Sequence, residues 1–345
     1  MGLATFAETC DNIPAREHIG LYPEKQAGTQ ERGSGVQIRN YRGTDAPAVV
    51  ALWNETMVHH PVHLKTFVRK VLLDVNFDRN GFFLAEKDNV PVGFAYAVRR
   101  RIVLEEGCGA DNDRGFIAAM GFRNGPDFSE VGAALLKRAE EYINRDGKKK
   151  IVVSAYTPEN FYQGICRELY PEYAKLLEEN GYTAYSDSAS MRLELDAYQP
   201  SPDIPEKRRK LEEEDFYIGA LRHSDIPALF DFVIPGWRFR YRRLLREEGD
   251  LEKVRVAVLG DRVVGCNMFG DPYDGPETFN CFGVDADFRG KGLGKILLAD
   301  CLTEMKNRGL HTAWIQWAHY LDAAGAVYRK AGFLQTGIYV TYIKE

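Results

Sequence analysis

The stretch from Cys281 to Gly309 carries the clearest pattern of apolar and polar positions in the chain. Cys281–Val284 is a short apolar run of the kind found in buried strands. A glycine-rich turn follows, and apolar residues then recur at the spacing of an amphipathic helix: Ile296, Leu297, Leu298, Cys301, Leu302 and Met305. The predicted helix ends near Gly309, because Lys306 and Arg308 lie in its last turn.

The turn between this strand and this helix, Arg289–Gly294, is a candidate phosphate site. Glycines at the start of a helix let backbone N–H groups approach an anion with no side chain between. The unpaired N–H groups and the helix dipole both favour negative charge there. Neither the G-x-G-x-x-G pattern nor the P-loop pattern fits the spacing of these glycines. A flexible turn before an ordinary helix is the alternative interpretation.

The rest of the chain alternates strand-like and helix-like segments in two rounds. In the first round, hydrophobic periodicity and end signals predict strands and apolar runs at Gln37–Tyr41, Gly81–Ala85, Val92–Val98, Gly115–Gly121, Lys150–Ala155 and Ala189–Leu195, with helices at Ala46–Met57, Val131–Asn144 and Pro171–Asn180. Prolines at 200, 202 and 205 and the charged run Glu206–Asp215 then predict a linker.

The second round repeats the first. Tyr41–Pro47 aligns with Leu221–Pro227, and the pair Gly181-Tyr182 recurs as Gly332-Phe333. A two-copy repeat in which strands alternate with helices predicts an α/β fold, with a mixed sheet flanked by helices in each copy.

Composition excludes several classes of function. The 345 residues are enough for two domains of ordinary size, and the net charge of −5 does not indicate a nucleic-acid binder. No apolar run of about 18 residues predicts a membrane span, and the N-terminus lacks the features of a secretory signal. The six cysteines are scattered without zinc spacing, so we expect buried thiols, no metal and a cytoplasmic location.

Two motifs in the second copy resemble a known family. The pattern V-D-x-x-x-R-G-x-G-x-G-x-x-L-L, with Arg289, Gly292 and Gly294 at its signature positions, resembles motif A of the GNAT superfamily of acyl-CoA-dependent N-acyltransferases. The segment AAGAVYRKAGF, Ala323–Phe333, resembles motif B and carries Tyr328. The resemblance covers roughly residues 37–345 and implies the mixed-sheet GNAT fold in tandem. It divides the chain into an extension (1–36), a degenerate GNAT-like domain (37–197), a linker (198–215) and a catalytic domain (216–345).

The two copies differ at the positions that carry the resemblance. Aligning Leu135-Leu136 with Leu297-Leu298 places Glu130 of the first copy opposite Gly292. Aligning Gly181 with Gly332 places Leu177 opposite Tyr328. A carboxylate beside a pyrophosphate repels it and fills the space that a close backbone approach needs. We therefore expect the first copy to be structural and the second to bind the cofactor, acetyl-CoA.

The resemblance also implies which residues contact acetyl-CoA. Backbone groups of the strand would bond the pantetheine arm much as an added strand would. N–H groups of the turn would hold the pyrophosphate, and Arg289 and Lys291 would add positive charge. The implied cofactor-binding residues are Phe282, Gly283, Val284, Arg289, Gly290, Lys291, Gly292, Leu293, Gly294 and Lys295.

Acyl transfer to an amine requires two proton movements. An alkyl ammonium, whose pKa is about 10.4, must lose a proton before its nitrogen attacks the thioester. The departing thiolate, with a pKa of about 8.5, benefits from a proton donor. The family's donor is a tyrosine at the place of Tyr328, and the resemblance therefore implies that Tyr328 is the catalytic acid. A tyrosine packed under the sheet is the alternative.

The general base stays open at this stage. Gln316 occupies a place where some family members keep Glu, and Leu321 stands where many carry Asn. Glu277, Asp285 and His319 are candidates for the base, and a water relay to bulk solvent is an equal alternative.

The acceptor is not defined by the sequence. Aromatic and basic residues interleave from Trp237 to Arg243, in the region that lines the acceptor side in this family. They form either a wall for an acidic or aromatic amine, or a helix with one buried and one solvated face. We predict an acetyl-CoA-dependent N-acetyltransferase acting directly on a primary amine of a small molecule or peptide, with no nucleic-acid or membrane partner. The alternative is a non-catalytic CoA-binding or ligand-sensing protein, and the oligomeric state is open.

Overall fold

One β-sheet runs through both copies of the repeat. A computed structural model of the chain describes residues 35–102, 113–156, 159, 161–318 and 323–345, apart from the side chain of Trp317. Almost all of the predicted N-terminal extension lies outside these ranges. Within them, Val36–Glu345 forms one compact unit, and none of the helices is long and apolar enough to cross a membrane.

The described strands and helices follow the order expected of a repeated α/β unit. In the first half they are β1 (Gln37–Asn40), α1 (Ala46–Thr56), α2 (Leu64–Phe67), β2 (Phe82–Lys87), β3 (Val90–Val98), β4 (Arg114–Phe122), α3 (Phe128–Asn144), β5 (Lys150–Val153), α4 (Pro171–Glu179) and β6 (Thr183–Glu194). In the second half they are α5 (Ile204–Glu212), β7 (Phe216–Ala220), α6 (Ile226–Phe232), α7 (Pro235–Glu247), β8 (Val254–Leu259), β9 (Arg262–Asp271), β10 (Gly275–Val284), α8 (Leu293–Asn307), β11 (Thr312–Ala318), α9 (Ala323–Ala331) and β12 (Leu334–Lys344).

The two halves exchange their last strands. The strand order is β1-β2-β3-β4-β5-β12-β6-β11-β10-β9-β8-β7, so β12 of the second half lies between β5 and β6 of the first. In return, β6 lies between β11 and β12 and pairs antiparallel with both. Only the β4–β5 and β10–β11 pairs among the described strands are parallel. The predicted mixed α/β fold in two copies is confirmed, but the two sheets are merged into one.

Helices cover both faces of the sheet in the second half. On one face, Tyr241 and Leu244 of α7 share a core cluster with Val256 of β8. On the other, Leu211 of α5 and Leu297 of α8 pack in the same cluster as the neighbouring residue, Ala257. Successive residues of a strand point to opposite faces, which is why one strand serves both cores.

Helix α8 matches its predicted pattern. Its apolar stripe is buried from Leu293 to Met305. The chain turns away at Gly309, which has a φ of 78° and donates its N–H to the carbonyl of Lys306. Glycine is favoured there because other residues pay a steric cost at positive φ.

Buried ion pairs join the two halves on the side of the β9–β10 turn. Lys70 of the first half pairs with Asp274, and Glu159 pairs with Arg243 of α7 at 3.1 Å. Arg243 also contacts Asp271, whose side chain is completely buried, at 2.5 Å. Burial raises the pKa of Glu159 to about 7, while the nearby Arg243 opposes this shift. The Lys70–Asp274 and Glu159–Arg243 pairs are therefore contacts that either half would lose on its own.

Candidate functional site

The candidate site lies where β10 and β11 separate. The two strands pair in parallel at Thr278 and Trp314, and beyond that point the described register gives β10 partners on β9 alone. β11 pairs with β6 on its other side. The last residues of β10, Phe282, Gly283 and Val284, therefore have one strand edge that β11 does not cover. Backbone groups on such an edge are available for an extended ligand.

A β-bulge bends β10 just before this edge. Asn280 pairs with Met268 and Gly283 with Cys266, so two residues of β10 face one residue of β9. Cys281, in the bulge, has a φ of 53°, which is unusual for a residue other than glycine. The buried hydroxyl of Tyr241 on α7 donates to the carbonyl oxygen of Cys281 at 3.0 Å. This hydrogen bond fixes the bulge, and thereby the path of the strand edge.

The thiol of Cys281 is not a nucleophile in this setting. It packs against the core under α6 and α7, and burial raises its pKa to about 12. A thiol with that pKa stays protonated at neutral pH, whereas the thiolate is the reactive form.

The glycine-rich turn follows β10 directly and leads into α8. Gly290 and Gly292 have φ angles of 84° and 87°, and Gly292 is the N-cap of the helix. A Cβ at Gly294 would come within 3.2 Å of the ring of Phe282. The glycines are thus required for two reasons, backbone conformation at the first two and close packing at the third. The first turn of α8 meets the end of β10 with bare backbone between them.

Positive charge surrounds this turn. Arg289 is exposed on it, and Lys291 pairs with Glu214 at 2.7 Å. Lys295 lies half-buried in the first turn of α8. Together with the helix N-terminus, these side chains provide a favourable environment for a phosphate.

Tyr328 lies beside the same strand. It is on α9, is 6% exposed, and its ring centre is 5.7 Å from that of Phe282 and 5.8 Å from those of Phe279 and Phe333. The structure thus brings Tyr328 next to a residue of the β10 edge. The tyrosine is also part of the core, as in the packing interpretation, and the two roles are compatible.

The predicted base candidates are spread around the site. Asp285 accepts the N–H of Asp287 at 3.1 Å and pairs with Arg262 at 3.3 Å, and Glu277 accepts a hydrogen bond from the Thr312 hydroxyl. These two carboxylates have structural partners. Gln316 is half-buried on β11. His319 and Leu321 lie outside the described residues.

The corresponding place in the first half is filled by side chains. The hydroxyl of Tyr173 on α4 accepts the N–H of Phe122 at 2.7 Å and contacts its carbonyl oxygen at 3.1 Å. Phe122 is the last residue of β4, and in the copy alignment it stands opposite Val284. Leu176 packs onto Gly132, where a Cβ would come within 2.3 Å of it. The side chain of Tyr173 therefore occupies the strand edge. The side chain of Leu176 packs against Gly132, the glycine that corresponds to Gly294.

The phosphate turn also has no counterpart in the first half. The residues opposite Gly290–Gly292 are Phe128–Glu130, and they form the first turn of α3. Helix α3 thus begins three residues earlier than α8 in the alignment. The sequence comparison identified the carboxylate of Glu130, but not this change in backbone conformation.

The aromatic and basic run on α7 has mainly structural contacts. Trp237 lies against Gly283, with its Cζ3 atom 3.2 Å from the position of a Cβ there. Arg240 and Arg243 both contact the buried Asp271. None of the residues from Trp237 to Arg243 is exposed, so the run has no solvated face, and its contacts lie within the protein. The charge of these two arginines is compensated within the protein.

The sequence did not predict that two further residues, Tyr241 and Lys207, lie near the site. Tyr241 was noticed only as part of the run on α7, although a tyrosine at the centre of an apolar stripe often has a buried hydrogen-bond partner. Lys207 lies in the segment predicted as a linker, which in the structure includes helix α5. No sequence signal indicated that this helix packs beside the glycine-rich turn.

Comparisons with known proteins identify a family for the second half of the chain. The model of the family described as Acetyltransferase (GNAT) family matches residues 209–333. The [Ribosomal protein bS18]-alanine N-acetyltransferase of Salmonella typhimurium (strain LT2) is 36% identical over 127 residues, which are 36% of this chain and 85% of that protein.

Solved structures show the same fold over both halves. A GCN5-related N-acetyltransferase from Sphaerobacter thermophilus is 19% identical, with a TM-score of 0.66 over 90% of this chain and 95% of its own. A tandem GNAT protein from the clavulanic acid biosynthesis pathway is 13% identical, with a TM-score of 0.61 over 90% of this chain and 98% of its own.

A larger protein contains a similar region. The GCN5-related glucosamine N-acetyltransferase region of a fungal multi-domain GH3 β-N-acetylglucosaminidase is 18% identical, with a TM-score of 0.74 over 91% of this chain. The matched part is 38% of the fungal protein's length. The family match, the curated relative and the shared tandem fold together show that this chain belongs to the GNAT family of acetyltransferases.

Proposed function

We propose that the chain is an N-acetyltransferase that moves an acetyl group from acetyl-CoA to a primary amine, at one site in its second half. The observation that carries the proposal is the conjunction of three features around Phe282. An uncovered strand edge, a glycine-rich helix start and a tyrosine meet there, whereas side chains fill the equivalent place in the first half.

The residues of the site fit acetyl-CoA as a substrate. The edge of β10 from Phe282 to Val284 would bond the amide groups of the pantetheine arm. The N–H groups from Gly290 to Lys295 would hold the diphosphate, with Arg289 and Lys291 adding positive charge. The contact of Gly294 with Phe282 keeps these two binding elements adjacent.

The reaction follows from this placement as a direct transfer. The neutral amine nitrogen bonds to the thioester carbonyl carbon, the carbon–sulfur bond breaks, and the amine loses a proton. Tyr328 donates its hydroxyl proton to the departing thiolate and regains one from solvent. The thiol of Cys281, which stays protonated at neutral pH, supports a route without an enzyme-bound acyl group.

The proton of the amine leaves by a route through water. The two described carboxylates proposed as bases, Glu277 and Asp285, are already engaged with Thr312 and Arg262. Gln316 has no basic group, but its amide can orient a water molecule. None of the base candidates that the structure describes is free of other partners, so we propose a relay to bulk solvent for this step.

The acceptor is a small molecule or peptide with a primary amine. Because nearby carboxylates compensate the charges of Arg240 and Arg243, we do not favour an acidic acceptor. The curated relative is named for acting on the alanine of a ribosomal protein, so a peptide amine is a reasonable first acceptor class to test.

A panel of amines tests the proposal. The purified protein is given acetyl-CoA with peptides bearing free N-termini, with the same peptides N-terminally blocked, and with small primary amines. We expect thiol release that depends on a free amine and yields an acetylated product of the corresponding mass. Tight binding of acetyl-CoA without amine-dependent thiol release across the panel would instead favour the CoA-binding or ligand-sensing alternative.

A further inference from the structure

Helix α5, in the segment that connects the two halves, is fixed against the proposed cofactor site. Ile204 and Leu211 are buried in the core that contains Leu293 and Leu297 of α8. Arg208 pairs with Asp300 of α8 and donates to the carbonyl of Ile218 at 2.8 Å. The apolar contacts and the ion pair hold α5 in one position relative to the start of α8.

The side chain of Lys207 extends from α5 over the glycine-rich turn. Its Cδ is 3.1 Å, and its Cε 3.8 Å, from the position that a Cβ would have at Gly292. The ammonium group pairs with Asp203, four residues earlier, which is the N-cap residue of the same helix. Lys207 is 36% exposed on its side chain, so the ammonium group can change partners without leaving a packed core.

Carboxylates already pair with two of the lysines around this turn. Asp203 forms an ion pair with Lys207, and Glu214 forms one with Lys291. The hydrogen bond from Lys207 lowers the pKa of Asp203 to about 2, so this carboxylate is ionised at neutral pH. A phosphate bound at the helix N-terminus would present more negative charge to these lysines than a single carboxylate does.

We infer that Lys207 of the connecting helix is a binding residue for the diphosphate or 3′-phosphate of the acyl-CoA donor, an inference that rests on the proposed function. On binding, its ammonium group exchanges Asp203 for a phosphate oxygen. The connecting segment thereby becomes part of the donor site and makes the site selective for donors that carry these phosphates.

The test compares two donors and three variants. Acetyl-CoA carries the phosphates, whereas S-acetylpantetheine has the same thioester arm without them. Lys207→Met keeps the methylene stem over Gly292 but removes the charge. Lys210→Met, on the same helix, removes a lysine that pairs with Glu206. Asp203→Asn combined with Lys207→Met removes the carboxylate that the single variant would leave unpaired.

We expect Lys207→Met to raise the KM for acetyl-CoA about three- to tenfold, the effect of losing one partly exposed charged contact. The KM for S-acetylpantetheine and the value of kcat should not change. Lys210→Met should behave like the parent with both donors. The double variant should keep most of the loss, because the missing group is the ammonium.

The inference is overturned if Lys207→Met has the parent's KM for acetyl-CoA, if both donors are affected equally, or if the double variant regains the parent's KM. These results leave the proposed function intact as long as the parent turns over acetyl-CoA. A parent protein that neither binds nor uses acetyl-CoA would remove the proposed function itself, and the inference with it.

Discussion

Tyr328→Phe should reduce turnover by about 10²–10⁴, the usual contribution of a positioned acid or base. The substitution removes one hydroxyl and leaves the ring in contact with Phe279, Phe282 and Phe333. Both kcat and kcat/KM should fall, because the lost interaction stabilises charge that develops only in the transition state. The measurement is steady-state thiol release with saturating acetyl-CoA and amine.

Thermal melting of the same variant separates catalysis from packing. A catalytic role predicts a melting temperature and an acetyl-CoA affinity close to those of the parent. If Tyr328 acts only through packing, the variant should melt earlier and keep the parent's rate per folded molecule. A variant that both melts and turns over like the parent would remove Tyr328 from the mechanism.

The second half should not fold without the first. In the fragment 201–345, strand β6 is absent, and β11 and β12 lose the neighbour that lies between them. Met191 and Leu193 of β6, and Leu195 directly after it, are buried in the same core cluster as Tyr328. Loss of each large buried side chain costs about 2–5 kcal/mol, and the stability of a whole domain is about 5–15 kcal/mol. We therefore expect an aggregated or unfolded fragment, measured by circular dichroism and size-exclusion chromatography.

A split protein is the matched control. When fragments 1–200 and 201–345 are produced together, each can give the other its last strand, since the break lies between β6 and α5. We expect a stable complex that melts cooperatively. An isolated 201–345 fragment that melts cooperatively and binds acetyl-CoA would show that the exchanged strand is not needed.

Local signals were sufficient to predict much of the fold. The apolar stripe of α8 and its end at Gly309 follow from residue spacing, because helix periodicity and glycine conformation are properties of a short segment. The segment predicted as the strand Ala189–Leu195 extends from Thr183 to Glu194 in the structure. The first half of this strand was not predicted because its residues are exposed and mostly polar. Helix α5 was not predicted for a similar reason, because Pro205 and its charged residues are typical of a linker.

Long-range pairing could not be predicted from the same patterns. Nothing in the composition of β6 or β12 indicates that each completes the sheet of the other half, since both are ordinary amphipathic strands. The blocked strand edge of the first half depends on Tyr173, which approaches Phe122 only after α4 has packed. The assignment of Tyr328 and of the residues around Gly292 to the site stays a prediction.

Calorimetric titration with acetyl-CoA tests the central claim most directly, namely that the one donor site lies in the second half. The parent should bind one molecule per chain. Glu130→Ala, in the first half, should also bind one. Gly292→Glu, which places a carboxylate and a side chain at the phosphate turn, should bind none or far more weakly, with melting used to verify that it is folded. Two equivalent sites in the parent, or unchanged binding by folded Gly292→Glu, would contradict the account.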